Sequence, residues 1–123
     1  MEPIVFEPIY SGTTFPGYEI ELFEEIVVVG PPDTIEEVPV DLTGASIIMN
    51  VRSKTLRVVE KIYSTEDGSI LVDIGKITIP QHEVNIKAGV YVFDMNILLS
   101  NGEHLTGFAS GQWTILEPIT ERP

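Results

Sequence analysis

Val90-Tyr91-Val92-Phe93-Asp94-Met95-Asn96-Ile97-Leu98-Leu99 decides the fold, and Asn101-Gly102 closes it one residue later. Tyr91, Phe93, Met95, Ile97 and Leu99 recur at every second position, the period of a strand that buries one face. Five large apolar side chains on one face predict a central strand. Asp94 interrupts it and must either face water or find a partner. Asn-Gly accepts the positive φ angles of a type I′ turn, so the chain should reverse there into an antiparallel hairpin. The return runs from His104 to Ala109. A last strand, Gln112 to Leu116, carries the only Trp.

The same period recurs upstream. Ala45, Ile47, Met49 and Val51 share one face of a strand that ends at Arg52. Tyr18-Glu19-Ile20-Glu21-Leu22 alternates apolar with acidic, which buries Tyr18, Ile20 and Leu22. Ile26 to Val29 and Val58 to Tyr63 are β-branched runs. Ile70-Leu71-Val72 and Lys76-Ile77-Thr78-Ile79 flank Gly75, and Pro80 stops the second. Glu66-Asp67-Gly68-Ser69 and Asp41-Leu42-Thr43-Gly44 are turns in which Asp, Ser and Thr can bond nearby amides. Residues 30–39 hold three prolines and three acids and read as an exposed excursion between strands. Only residues 81–88 suggest a helix, a single turn before Gly89.

This pattern predicts an all-β chain: one immunoglobulin-like antiparallel β-sandwich of about seven to nine short strands. A small barrel is the alternative. The sandwich spans 16–118, a tail occupies 119–123, and residues 1–15 form an extended amino-terminal arm. Ile4, Phe6, Ile9 and Tyr10 give that arm much apolar surface, so it packs either on its own domain or on a neighbouring subunit.

Composition narrows the chemistry. The 123 residues contain no cysteine, which excludes disulfides, thiolate metal sites and cysteine nucleophiles. Seven Lys and Arg oppose 19 Asp and Glu, a formal charge of −12. Such a chain repels phosphate, so neither nucleic acid nor an anionic membrane is an expected partner. No apolar run approaches a membrane span, and the start lacks the basic end and apolar stretch of a signal peptide. The charge is segregated. Residues 1–51 hold ten acids and no Lys or Arg, then Arg52, Lys54, Arg57 and Lys61 follow within ten residues. Complementary potentials of this kind guide docking. Asp33, Glu36 and Glu37 in the acidic excursion, and those four cations, are therefore the candidate interface residues beside the four apolar residues of the arm. Arg52 is also placed to pair with a carboxylate such as Asp94.

Catalytic signatures are missing. His82 and His104 have no metal-ligand spacing around them and read as surface histidines. No nucleophile elbow, phosphate loop or dinucleotide fingerprint appears. Asp67-Gly68 lacks the ligand series of a calcium loop and reads as a turn. Nineteen acids guarantee neighbouring carboxylates, but a chain this short has little wall for a sugar cleft. Trp113, Tyr91, Phe93 and Phe108 fall in alternating strands, where they fill a core. A carbohydrate platform needs exposed aromatics, leaving Tyr10, Phe15, Tyr18 and Tyr63 as its candidates. The expectation is a non-enzymatic protein without metal or cofactor.

Several segments also resemble a known family in their order. They are Ser11-Gly12-Thr13-Thr14-Phe15, Asp41-Leu42-Thr43-Gly44-Ala45 running into Met49-Asn50-Val51-Arg52, Asp67-Gly68-Ser69-Ile70 and Gly75-Lys76-Ile77-Thr78-Ile79. After them come Ala88-Gly89-Val90-Tyr91-Val92-Phe93-Asp94, Gly111-Gln112-Trp113-Thr114-Ile115 and Ile119-Thr120. The series resembles small tailed-phage and prophage proteins, and is similar to the amino-terminal β-sandwich domain of phage baseplate upper proteins. The resemblance implies a structural component of the virion, a tail, baseplate or fibre-adaptor module. Its implied partners are other virion proteins and further copies of itself. Head decoration, a head–tail connector and a carbohydrate-binding module are the alternatives.

Overall fold

The computed structural model of the chain describes residues 4–117, less the side chain of Phe108. The expected tail at 119–123, and with it Ile119-Thr120, lies outside the described residues. Those residues contain no helix and thirteen strands. In chain order these are β1 (Ile4–Val5), β2 (Ile9–Tyr10), β3 (Thr14–Phe15), β4 (Tyr18–Glu21), β5 (Phe23–Val28), β6 (Thr34–Pro39) and β7 (Ser46–Ser53). Then come β8 (Val59–Ser64), β9 (Leu71–Asp73), β10 (Lys76–Ile79), β11 (His82–Glu83), β12 (Gly89–Leu98) and β13 (His104–Leu116).

They build a β-sandwich. One layer is the sheet β1-β13-β12-β7-β8, with β2 also paired to β13; the other comprises β4-β10-β9 and the short β3-β11 ladder. Alternation places most of the core as the sequence predicts, but Tyr18, expected beside Ile20, is exposed, and Leu22 and Leu99 are half-buried. Ile47, Met49 and Val51 of β7 and Tyr91, Phe93, Met95 and Ile97 of β12 are buried, and so are Ile20, Ile77 and Ile79 of the second layer. Burying each such side chain contributes about 1.5–3 kcal/mol.

The chain reverses at Asn101-Gly102 as expected, but not through a type I′ turn: Gly102 alone of the pair has a positive φ, and its amide donates to the Leu99 carbonyl at 2.9 Å. Gly102 has φ +89, and the Asn101 side chain accepts the Glu103 amide at 2.9 Å. Beyond it, the two strands expected at 104–109 and 112–116 are one continuous strand, β13. Asn96 explains the difference. Met95 pairs with Ala109 and Ile97 with Leu105, so Thr106 to Phe108 stand against Asn96 alone. The Asn96 Oδ1 accepts the Gly107 amide at 2.7 Å, and Gly107 turns through φ +63. The bulge absorbs the extra residues while the ladder continues.

The helical expectation at 81–88 is corrected. His82 and Glu83 pair with Phe15 and Thr14, and Val84 exchanges backbone bonds with Gly12 and Thr13. The Ser11 hydroxyl donates to the Ile86 carbonyl at 2.7 Å. Val84 and Ile86 are buried while Glu83, Asn85 and Lys87 are exposed. That is a two-residue period, and an extended strand satisfies it where a helical turn does not.

The arm is woven into its own domain. Ile4 and Val5 run parallel to Gly111 and Gln112, and Ile9 and Tyr10 to Ile115 and Leu116. Gly111 makes the approach possible: a Cβ there collides with the Ile4 carbonyl and comes 2.6 Å from the Phe93 ring. Phe6 then drops into the core, stacked on Phe93 at 4.8 Å and edge-on to Trp113 at 5.2 Å.

Candidate docking surfaces

β5 and β6 pair with each other and with no other strand of the described residues. They form a two-stranded ribbon where an irregular excursion was expected at 30–39. Its root is a closed set of backbone bonds. The Leu22 amide donates to Gly75 at 2.8 Å, the Gly75 amide to Val40 at 2.8 Å, and the Val40 amide to Leu22 at 3.0 Å. At its tip the Asp33 carboxylate accepts the Gly30 amide at 3.0 Å, which closes Gly30-Pro31-Pro32-Asp33 into a turn.

The register defines two faces. Phe23 is opposite Pro39, Glu25 opposite Glu37 and Val27 opposite Ile35; the other face carries Glu24 with Val38, Ile26 with Glu36 and Val28 with Thr34. Apolar side chains are exposed on both. Phe23 is 50% accessible, Val27 64% and Ile35 68%. On the first face two carboxylates oppose each other between two apolar rungs. Like charges directly across a ladder repel, so Glu25 and Glu37 disfavour the ribbon by themselves.

The four candidate cations lie on β7, β8 and the turn between them. All four are exposed. Lys54 donates to the Gln112 side chain at 3.3 Å, and Lys61 sits over the Tyr63 ring at 5.4 Å. Arg57 holds a positive φ of 61°. Arg52 stands on the outward face of the sheet, opposite Val92 on one side and Val59 on the other. It is a diagonal neighbour of Asp94, but the expected ion pair does not form; the described ion pairs are Lys76–Glu19 at 2.9 Å and Lys87–Glu60 at 3.2 Å. The second occupies the one acid of segment 52–61. Arg52 shares the outward face with exposed Ile48, Val59 and Ile62, whereas Lys61, opposite buried Val51, projects to the inward side beside Tyr63.

The arm candidates separate. Phe6 is buried and packs in the core, Ile4 and Ile9 are half-buried, and Tyr10 keeps 48% of its surface. Asp33, Glu36 and Glu37 all lie exposed on the ribbon. The apolar residues Phe23, Val27 and Ile35 were not among the candidates. Their signal was two runs of strand-forming residues around Gly30-Pro31-Pro32-Asp33, a hairpin pattern obscured by the acids.

The histidine expectation also divides. His104 is exposed. His82 is half-buried, with its Nδ1 2.8 Å from the Pro80 carbonyl and its Nε2 2.8 Å from the Tyr63 hydroxyl. Because a carbonyl only accepts, Nδ1 carries the proton and Nε2 accepts from Tyr63. Burial pushes the Tyr63 hydroxyl up to about 12. Phe15, Tyr63, Tyr91, Phe93 and Trp113 are all buried, which leaves Tyr10 and Tyr18 as the exposed members of the expected aromatic set. No three His, Asp or Glu side chains gather to hold a metal among the described residues.

Comparison with known proteins finds no matching family model and no matching curated protein. A solved structure, CopC from Methylosinus trichosporium OB3b, is similar at 14% identity and a TM-score of 0.41, over 80% of this chain and 100% of that one. A likeness so distant says nothing of what this chain binds. The virion function is nevertheless corrected: no family model and no curated protein matches, so nothing supports a tail, baseplate or head role for this chain. No comparison supports the carbohydrate-binding alternative either, and Phe15 and Tyr63 of its aromatic set are buried.

Proposed function

We propose that this protein is a non-catalytic β-sandwich that docks onto another protein through the β5–β6 ribbon. The observation that carries the reading is the ribbon itself, two six-residue strands with apolar side chains exposed on both faces and no covering layer among the described residues. A lone two-stranded hairpin is marginal in water, and three or more strands or a packed face are needed to hold it. Exposed edges and apolar patches are also liabilities that soluble proteins blunt or cover. A partner that adds a layer removes both problems at once. The single acid at the tip and the four along the strands keep the ribbon soluble until then and restrict the partner to one that presents cations.

The Leu22–Val40 hydrogen bond offers a clean test. Residues 23–39 are replaced by Asn-Gly, which closes a hairpin at that bond. The shortened chain is expected to melt as the full chain does, since the core is untouched. Both proteins are immobilised and exposed to an extract of the native source. Proteins held by the full chain and lost from the shortened one support the reading; an unchanged set retained by both overturns it.

A further inference from the structure

We infer that the ribbon's partner is a second copy of this chain, and that its seat is the basic, apolar outer face of β7 and β8. The inference rests on the docking role of the ribbon proposed above. Charge makes the selection. Residues 23–39 carry five acids and no Lys or Arg, so two ribbons repel each other. Segment 52–61 carries four cations and one acid, and that acid is already held by Lys87. Of those cations Lys61, opposite buried Val51, lies on the inward side of β8, so the outer face and its turn present Arg52, Lys54 and Arg57 beside the Asp94 carboxylate, a net positive surface against a wholly acidic ribbon.

The apolar patterns match as well. On the ribbon, Glu25 and Glu37 lie between the Phe23 rung and the Val27–Ile35 rung. On the sheet, Arg52 lies beside Val59, with Ile62 on the next outward-facing rung of β8. A guanidinium placed between the two carboxylates relieves their mutual repulsion and forms charge-assisted hydrogen bonds with both. The flanking apolar rungs then bury against Val59 and Ile62. Among the described residues β8 is also an edge strand of its sheet, paired only to β7.

Ribbon and seat are different surfaces of one chain, so the contact is head-to-tail. Repetition of such a contact gives a closed ring or an open filament. The charge term makes assembly sensitive to salt, because the Debye length falls from about 10 Å at 0.1 M to about 3 Å at 1 M.

Sedimentation velocity of the full chain from micromolar to millimolar concentration tests the inference. Two variants accompany it: Val27→Ser with Ile35→Ser on the ribbon, and Arg52→Ser with Ile62→Ser on the seat. All four positions are exposed, and the thermal melts of the variants are compared with that of the wild type. The wild type is expected to associate, more weakly at high salt, and each variant to lose at least about tenfold in affinity. Mixing the variants is expected to yield a complex that neither forms alone, because each still has the surface the other lacks. A wild type that stays monomeric overturns the second copy and leaves the ribbon docking elsewhere; association lost in the ribbon variant but kept in the seat variant overturns the β7–β8 seat. Association unchanged in both variants overturns this inference and the ribbon's docking role together.

Discussion

Pro39 leaves no room for a side chain on Gly75: a Cβ placed on Gly75 lies 2.7 Å from the Pro39 Cβ. Gly75 also holds φ +71, and both its amide and its carbonyl belong to the bonds at the ribbon root. The β9–β10 turn and the ribbon are therefore locked together at one residue. Gly75→Ala meets the clash and the left-handed backbone at once. It is expected to cost about 2 kcal/mol in urea unfolding. The local signature is faster hydrogen exchange at Leu22 and Val40. Wild-type exchange at those amides contradicts the root described here.

Gly111 plays the corresponding part for the arm. Gly111→Ala places a methyl group against the Ile4 carbonyl and the Phe93 ring, so β1 must leave. Phe6→Ala removes a buried ring and is expected to cost about 3–5 kcal/mol. Both changes release the same segment. The double variant should therefore cost clearly less than the sum of the two, as measured by denaturant unfolding. Simple additivity would mean that Phe6 does not depend on Gly111 for its place.

Tyr63 predicts an alkaline limit to stability. Its hydroxyl is pushed from 10.0 to about 12 by burial, so between these values the folded chain keeps a proton that the unfolded chain has released. The native state then binds more protons, and unfolding free energy falls as pH rises. The contribution is whole below pH 10.0 and declines toward about pH 12, by roughly 2–3 kcal/mol in all. Tyr63→Phe should flatten most of that decline in melts taken across the range. A residual slope remains from Tyr91, whose hydroxyl burial also raises.

Gly102 offers a contrast with the two crowded glycines. It has φ +89, but a Cβ there meets nothing within 4 Å. Gly102→Ala carries only the backbone term, about 1 kcal/mol. A thermal melt is expected to shift modestly with the β12–β13 register intact. Loss of folding would show that the turn does more than reverse the chain.

Legibility differed from element to element for physical reasons. β7, β12 and their buried faces could be read because one face packs on a core and the other meets water, and that asymmetry is written at every second residue. The turns at Asp41, Asp67 and Asn101 could be read because each bonds its own neighbours; the Asp67 carboxylate takes the Ser69 hydroxyl and, at 2.9 Å, the Ser69 amide, and those bonds hold it below the usual carboxylate range. The ribbon was hidden because both of its faces are exposed, so no burial asymmetry marks its period. Residues 81–88 misled because Val84 and Ile86 are only two alternating positions, too few to outweigh the Gly89 stop.

The candidate interface was legible as charge and illegible as shape. The segregation of ten acids before Arg52 is a property of the chain, and it named Asp33, Glu36, Glu37 and the four cations. Which apolar residues accompany them depended on strand pairing between positions far apart. The fate of the arm did too, since Phe6 is buried only because Gly111, more than a hundred residues later, admits the Ile4 backbone. Local alternation, turn chemistry and charge are short-range properties and are determined by the sequence itself. Close approach, register and the uncovered ribbon arise from contacts between distant segments, and only the tertiary structure decides them.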